Sequence, residues 1–178
     1  PGFSTTTRLE VLAVACSSIL ALLAVSDATA AYKASDDTFP YEVMRSENEW
    51  RELLGDFGYT IMREGGTEPQ YTSPLWNETR PGVYNCRGCG LTIYDARWKT
   101  VIEDKGWLFF VHGEPNALMM GIDWPEGADP EDPKYDVVAS VETHCRRCGS
   151  HMGHYFIVDG RLLQCINGTS LDFVPAEA

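Results

Sequence analysis

From Val83 onward, short apolar or alternating runs are set between Gly, Pro and Asp: "GLTIY", "GWLFFV", "YDVVASVETH", "HYFIV" and "RLLQCI". Short runs of this kind, bounded by turn formers, predict antiparallel strands. One segment follows a different period. In "PYEVMRSENEWRELL", residues 40–54, Ser46 stands three positions before Glu49 as in a capping box, and Trp50, Leu53 and Leu54 fall at helical spacing. The pattern predicts a helix that starts at Ser46 and is closed by Gly55. Residues 63–84, "REGGTEPQYTSPLWNETRPGVY", are too rich in turn formers for regular structure, and residues 124–135, "WPEGADPEDPKY", predict an acidic, proline-rich surface loop. The class is therefore mostly β (α+β), with short helices near the N-terminus.

The first thirty residues form a separate unit. A hydroxylated, basic "STTTR" precedes the uncharged run Val11–Val25, and Ala28-Thr29-Ala30 follows as an A-x-A cleavage pattern. The run is short for a bilayer span, which needs roughly 20 residues, and it suits the core of a cleavable signal. Residues 1–30 are thus expected to be a signal or targeting segment cut near Ala30, and residues 31–178 a single domain. The destination is exported or organellar, with the secretory pathway and a plastid lumen as the two candidates.

Composition narrows the function. A formal charge of -12 argues against nucleic acid, whose phosphates are bound mainly by Lys and Arg. A hydrophobic fraction of 44% supplies a real core. Cysteine spacing then carries the chemistry. Cys86-Arg-Gly-Cys89 and Cys145-Arg-Arg-Cys148 are two C-x-x-C knuckles, each followed by glycine. Two such knuckles place four thiolates in tight turns, the donor set of a structural zinc site. Disulfides and a redox C-x-x-C are the alternatives, although a redox pair usually opens a helix whereas strand-like residues follow here. Zinc is the favoured reading.

Cys16 lies in the leader and four cysteines are paired, which leaves Cys165. A lone cysteine is often a small buried core residue. Here His151, His154, Asn167 and Asp159 are near it in sequence, and imidazoles can favour a reactive thiol.

These residues carry a resemblance. "REGGTEP" at 63–69, "GVYNCRGCG" at 82–90, "GW" at 106–107, "CRRCGSHMGHYF" at 145–156 and "CINGTSLDFVP" at 165–175 together resemble the methionine-R-sulfoxide reductases, the B-type family. The resemblance implies two antiparallel sheets of the β-tent type with short N-terminal helices, and a structural zinc on Cys86, Cys89, Cys145 and Cys148 away from the active site. It implies Cys165 as nucleophile, His151 and His154 as the active-site histidines, one of which protonates the sulfoxide oxygen, Asn167 as a residue that holds the site, and Trp107 as the wall for the substrate methyl. The implied activity is reduction of methionine-R-sulfoxide in oxidised proteins or peptides through a sulfenic acid, a form that a thiol must clear. No second cysteine outside the knuckles is available in residues 31–178, so thioredoxin or another external thiol is the expected reductant, and the chain is expected to act as a monomer.

The chain departs from the family pattern in three places. "GWLFF" at 106–110 stands where "GWPSF" is usual, Leu163 stands where an arginine normally lies two residues before the nucleophile, and Ser140 replaces another arginine. Loss of the guanidinium removes a group that would favour the thiolate. These changes keep a second reading open, a non-catalytic, zinc-stabilised ligand-binding module on the same scaffold.

Overall fold

The helix begins where the capping pattern places it. In a computed structural model, which describes residues 39–123, 129, 131–132 and 138–177, α1 runs Glu47–Arg63. The Ser46 side chain accepts from the Glu49 backbone N–H, and Glu49 accepts from Ser46 N, a complete capping box. Gly55 does not close the helix. With φ at 68° it bends the chain, and the helix resumes to Arg63 because Gly58, Ile61 and Met62 continue the buried stripe. Leu53, expected on the apolar face, is exposed, whereas Trp50 and Leu54 are buried. The Arg45 and Arg63 guanidiniums lie 4.8 and 4.6 Å from the Trp50 ring and donate to the carbonyls of Gly88 and Cys148, so α1 is clamped onto both cysteine knuckles.

Among the described residues nine strands follow: β1 (Gly82–Cys86), β2 (Thr92–Asp95), β3 (Lys99–Thr100), β4 (Leu108–Phe110), β5 (Leu118–Ile122), β6 (Val141–Cys145), β7 (His151–Val158), β8 (Arg161–Ile166) and β9 (Leu171–Pro175). They form two sheets with every pairing antiparallel, one ordered β2-β1-β9 and the other β3-β4-β8-β7-β6-β5. The expected fold class holds. Of residues 63–84, expected to be irregular, Arg63 ends α1 and Gly82–Tyr84 open β1, because they pair with β2 and β9; residues 64–81 are irregular apart from one short 3-10 turn at Pro74–Asn77. Neither the leader, residues 1–30, nor most of the acidic loop lies within the described residues. No helix among the described residues is long and apolar enough to cross a membrane.

The core is aromatic. Tyr84 and Tyr94 from the small sheet meet Phe110 from the large one, with ring centroids 5.1 and 4.0 Å apart, and Leu108, Ile166 and Met152 are buried with them. The "FF" of "GWLFF" is strand, as the run "GWLFFV" predicts. Phe110 stacks on Tyr94 in the core, and Phe109, the next residue on the other face, pairs with Cys165.

Candidate active site and metal centre

The two knuckles are built alike. Cys86 N–H donates to Leu91 O and Gly90 N–H to Cys86 O; Cys145 N–H donates to Ser150 O and Gly149 N–H to Cys145 O. Each turn ends on a left-handed glycine, Gly90 at φ 74° and Gly149 at φ 69°. The turns bring the sulfurs of Cys86 and Cys148 to 3.7 Å and those of Cys89 and Cys145 to 3.5 Å, with all four inside 4.8 Å. A tetrahedron with metal–sulfur bonds of about 2.3 Å has edges of about 3.8 Å, so the set fits one tetrahedral ion. None of the five described cysteines is in a disulfide, and the four knuckle sulfurs sit as one cluster rather than as two bonded pairs. Contacts among the four, more than burial, drive them apart in acidity, Cys86 and Cys145 up and Cys89 and Cys148 down. Among the described residues no other group of His, Cys, Asp and Glu is gathered tightly enough to hold a metal.

Cys165 lies apart from this cluster, in the middle of the large sheet. On β8 it is flanked by Phe109 of β4 on one side and His154 of β7 on the other. Residues opposite one another share a sheet face, so Trp107, Phe109, Leu163, Cys165, His154 and Phe156 lie on one face while Leu108, Phe110, Gln164 and Ile166 lie on the other. The approach of the strands is close at Gly153, where any Cβ would overlap the Cys165 carbonyl oxygen. Two hollows meet at the thiol. A cleft of about 510 Å³ is lined by Trp107, Phe109, Phe156 and Cys165, with Asp104, Lys105 and Asp159 among its charged lining residues. A smaller hollow of about 80 Å³ is lined by Thr67, Trp107, His154, Cys165 and Asn167.

Glu68 ties the floor together. Its backbone N–H donates to Asn167 Oδ1 at 2.9 Å, and its carbonyl accepts from Trp107 Nε1 at 2.9 Å. Its buried carboxylate accepts from the N–H groups of Gly168 and Thr169, at 2.7 and 2.8 Å, and from the Thr169 hydroxyl. Asn167 Nδ2 donates in turn to the carbonyls of Gly66 and Met152. The loop carrying Trp107 and the turn after Cys165 are therefore held by one residue.

The histidines form a second network. The Glu142 carboxylate contacts His151 Nδ1 through one oxygen and His144 Nε2, at 3.2 Å, through the other. Burial works to raise the Glu142 carboxyl, but the two imidazoles outweigh it and hold it at about 2. His151 Nε2 is buried without a hydrogen-bond partner. The His151 and His154 rings are 5.2 Å apart, and His154 Nε2 is 3.1 Å from Asp123 Oδ2. Burial, then the neighbouring His151, lowers the His154 pKa against the opposing pull of Asp123 and Glu142. Burial, then the charge of Glu68, pushes the Cys165 thiol up to about 12.

This geometry meets its comparison in known proteins. The SelR domain matches residues 54–175. The chain is 32% identical over 142 residues to the peptide methionine sulfoxide reductase MsrB of Leifsonia xyli, covering 77% of this chain and 94% of that protein. It is 36% identical over 148 residues to the MsrB of Agrobacterium fabrum, covering 79% and 98%, and 32% identical over 142 residues to the peptide methionine sulfoxide reductase B3 of Arabidopsis thaliana, covering 77% and 73%. The chain belongs to the MsrB family.

As an MsrB-family member it brings together at the thiol all the residues that the sequence singled out except His151. Trp107, His154 and Asn167 share the small hollow with Cys165, and Asp159 lines the larger cleft. His151 lines neither hollow and reaches the site only through the His154 ring. Leu163, in the place of the family's arginine, is buried beside Cys165 on β8 and pairs with Phe156, so apolar packing fills that position. Arg161 does not substitute for it; its guanidinium donates to Thr100 Oγ1 on β3. Three contributors escaped sequence reading. Glu68 lay inside a quoted motif without a role, and Asp123 gave no signal because its partner is 31 positions away. Gln164, next to Cys165 on β8, accepts from Tyr94 Oη at 2.7 Å and donates to Tyr155 Oη at 3.2 Å, a link visible only once the sheets are packed.

Proposed function

We propose that the chain reduces methionine-R-sulfoxide in oxidised proteins or peptides, with Cys165 as nucleophile. The observation that carries this reading is the placement of one free thiol where two hollows meet, between an aromatic wall and an imidazole. A sulfoxide sulfur becomes electrophilic once its oxygen takes a proton, so the site needs a soft nucleophile beside a group that donates near neutral pH. Trp107, fixed by its bond to the Glu68 carbonyl, supplies an apolar wall for the methyl group and turns the oxygen toward His154, which selects one epimer.

Atoms balance simply. The Cys165 sulfur bonds to the sulfoxide sulfur, the protonated oxygen then passes to the Cys165 sulfur as the S–O and S–S bonds to the substrate sulfur break, and the thioether leaves with Cys165 as a sulfenic acid. A first external thiol condenses with it, releasing water and leaving a mixed disulfide, and a second restores the free thiol. Thioredoxin or a similar thiol fills this role, since Cys165 is the only described cysteine outside the knuckles. Cys86, Cys89, Cys145 and Cys148 would hold zinc, which fixes the two hairpins and α1 in place and takes no part in the chemistry. The leader makes this an exported or organellar protein-repair enzyme.

The test is turnover of separated R and S methionine-sulfoxide peptides by the zinc-loaded chain with dithiothreitol, alongside a Cys165→Ser variant. Reduction of R alone, lost in the variant, is the expected result. A folded, metal-loaded protein inert toward both epimers would favour the binding module instead.

A further inference from the structure

The reaction just described takes a proton from a buried thiol and must deliver one to the sulfoxide oxygen. Beside the thiol on β8, Leu163 supplies packed aliphatic surface where the family pattern has a guanidinium. Of the imidazoles in the network, His154 alone lines a hollow that holds Cys165. His151 is sealed, with Nδ1 committed to Glu142.

We propose that Asp123 is a positioning residue that fixes His154 as the proton shuttle between Cys165 and the substrate oxygen, making Cys165, His154 and Asp123 a working triad. This inference rests on the reductase reading. Register places His154 directly across from Cys165, which sets their Cβ atoms about 5 Å apart on one face. Asp123, the residue after β5, reaches His154 Nε2 with Oδ2 at 3.1 Å. A carboxylate can only accept, so Nε2 carries the hydrogen and the neutral ring keeps Nδ1 as its acceptor. The logic is that of a nucleophile, a base and a group that orients the base.

The step balances. Cys165 S–H gives its proton to His154 as the sulfur bonds to the sulfoxide sulfur, Asp123 stabilises the imidazolium, and the same proton passes to the sulfoxide oxygen, which moves to the Cys165 sulfur as the S–O and S–S bonds to the departing thioether break. The sulfoxide gains two electrons and Cys165 loses two. The groups facing His154 are Asp123 at the end of β5, Glu142 on β6, His151 on its own strand and Cys165 on β8. Of these, Asp123 alone hydrogen-bonds the ring.

Asp123 is 43% exposed, so its replacement should leave the fold intact, which thermal melts would verify. The experiment compares the zinc-loaded chain with Asp123→Asn and Asp123→Glu, measuring kcat/KM for an R-sulfoxide peptide against pH and the ring-nitrogen titration of His154 by NMR. A nearby carboxylate favours imidazolium, so its loss should move the acid limb of kcat/KM and the His154 titration to lower pH. Turnover should fall tenfold or more through kcat, and Asp123→Glu should recover most of it. An Asp123→Asn enzyme within twofold of the parent, or one that is slower with both titrations unmoved, overturns the proposal. If the parent chain reduces neither epimer, the reductase reading fails, while the ring titration still decides whether Asp123 governs His154.

Discussion

Replacing Glu68 by Gln should weaken the fold and loosen the site together. The carboxylate is 1% exposed and accepts three hydrogen bonds, from Gly168 N–H, Thr169 N–H and the Thr169 hydroxyl. A glutamine has one acceptor oxygen, and its NH2 group would face at least one of these donors. Two bonds to a charged acceptor at about 1.5–3 kcal/mol each bound the loss near 6 kcal/mol, and because all three serve one turn, about 3 kcal/mol is expected. At roughly 2–4 °C per kcal/mol for a domain of this size, the melting temperature should fall by about 10 °C. A second readout runs the other way. The Glu68 charge is the lesser of two causes raising the Cys165 thiol, so the variant thiol should titrate somewhat below its parent at about 12, with burial still holding it high. Circular-dichroism melts at fixed zinc, with thiolate absorbance read as a difference against Cys165→Ser, give both quantities. A loss under about 1 kcal/mol, or a thiol that titrates higher, would refute the reasoning.

Cys86→Ser should abolish stoichiometric metal binding and lower the melting temperature by well over 10 °C, since metal affinity is folding free energy here; metal analysis and melts check it. Glu142 lies at about 2 in the folded state against an ordinary 4.5, so its ionisation stabilises the fold above about pH 4.5, and that contribution is lost as pH falls toward 2. Glu142→Gln should therefore flatten the acid limb of stability by about 3 kcal/mol in urea melts between pH 5 and 2, and an unchanged limb would show that the carboxylate is not what unfolds. Trp107→Ala should raise KM and erode the preference between epimers while Cys165 stays reactive, as paired kinetics with R and S peptides would show.

Much of this was readable in the chain because the chemistry sits in local patterns. C-x-x-C followed by glycine encodes a knuckle whatever surrounds it, and Ser46 with Glu49 encodes a helix start within one turn. The end of that helix was less legible. Gly55 signals a stop, but packing of Ile61 and Met62 on the core carries the helix past it, a tertiary effect. Strands β1, β3, β5 and β9 lay outside the runs read as strands: β1 starts within a stretch of turn formers, β3 is two residues long, and "LMMGI" lacks alternation because β5 forms a sheet edge with Met120 and Ile122 exposed. The residues that orient the site, Glu68 and Asp123, act at a distance in sequence, 99 positions to Asn167 and 31 to His154, and no local pattern reports such a contact.

The central claim, that Cys165 takes the oxygen, is tested most directly by single turnover without reductant. Zinc-loaded chain would be mixed with excess R-sulfoxide peptide and a sulfenic-acid trap, then digested and examined by mass spectrometry. The account predicts one methionine released per chain and the trap attached to Cys165 alone. Methionine released with the trap on a knuckle cysteine, or no methionine at all, would contradict it.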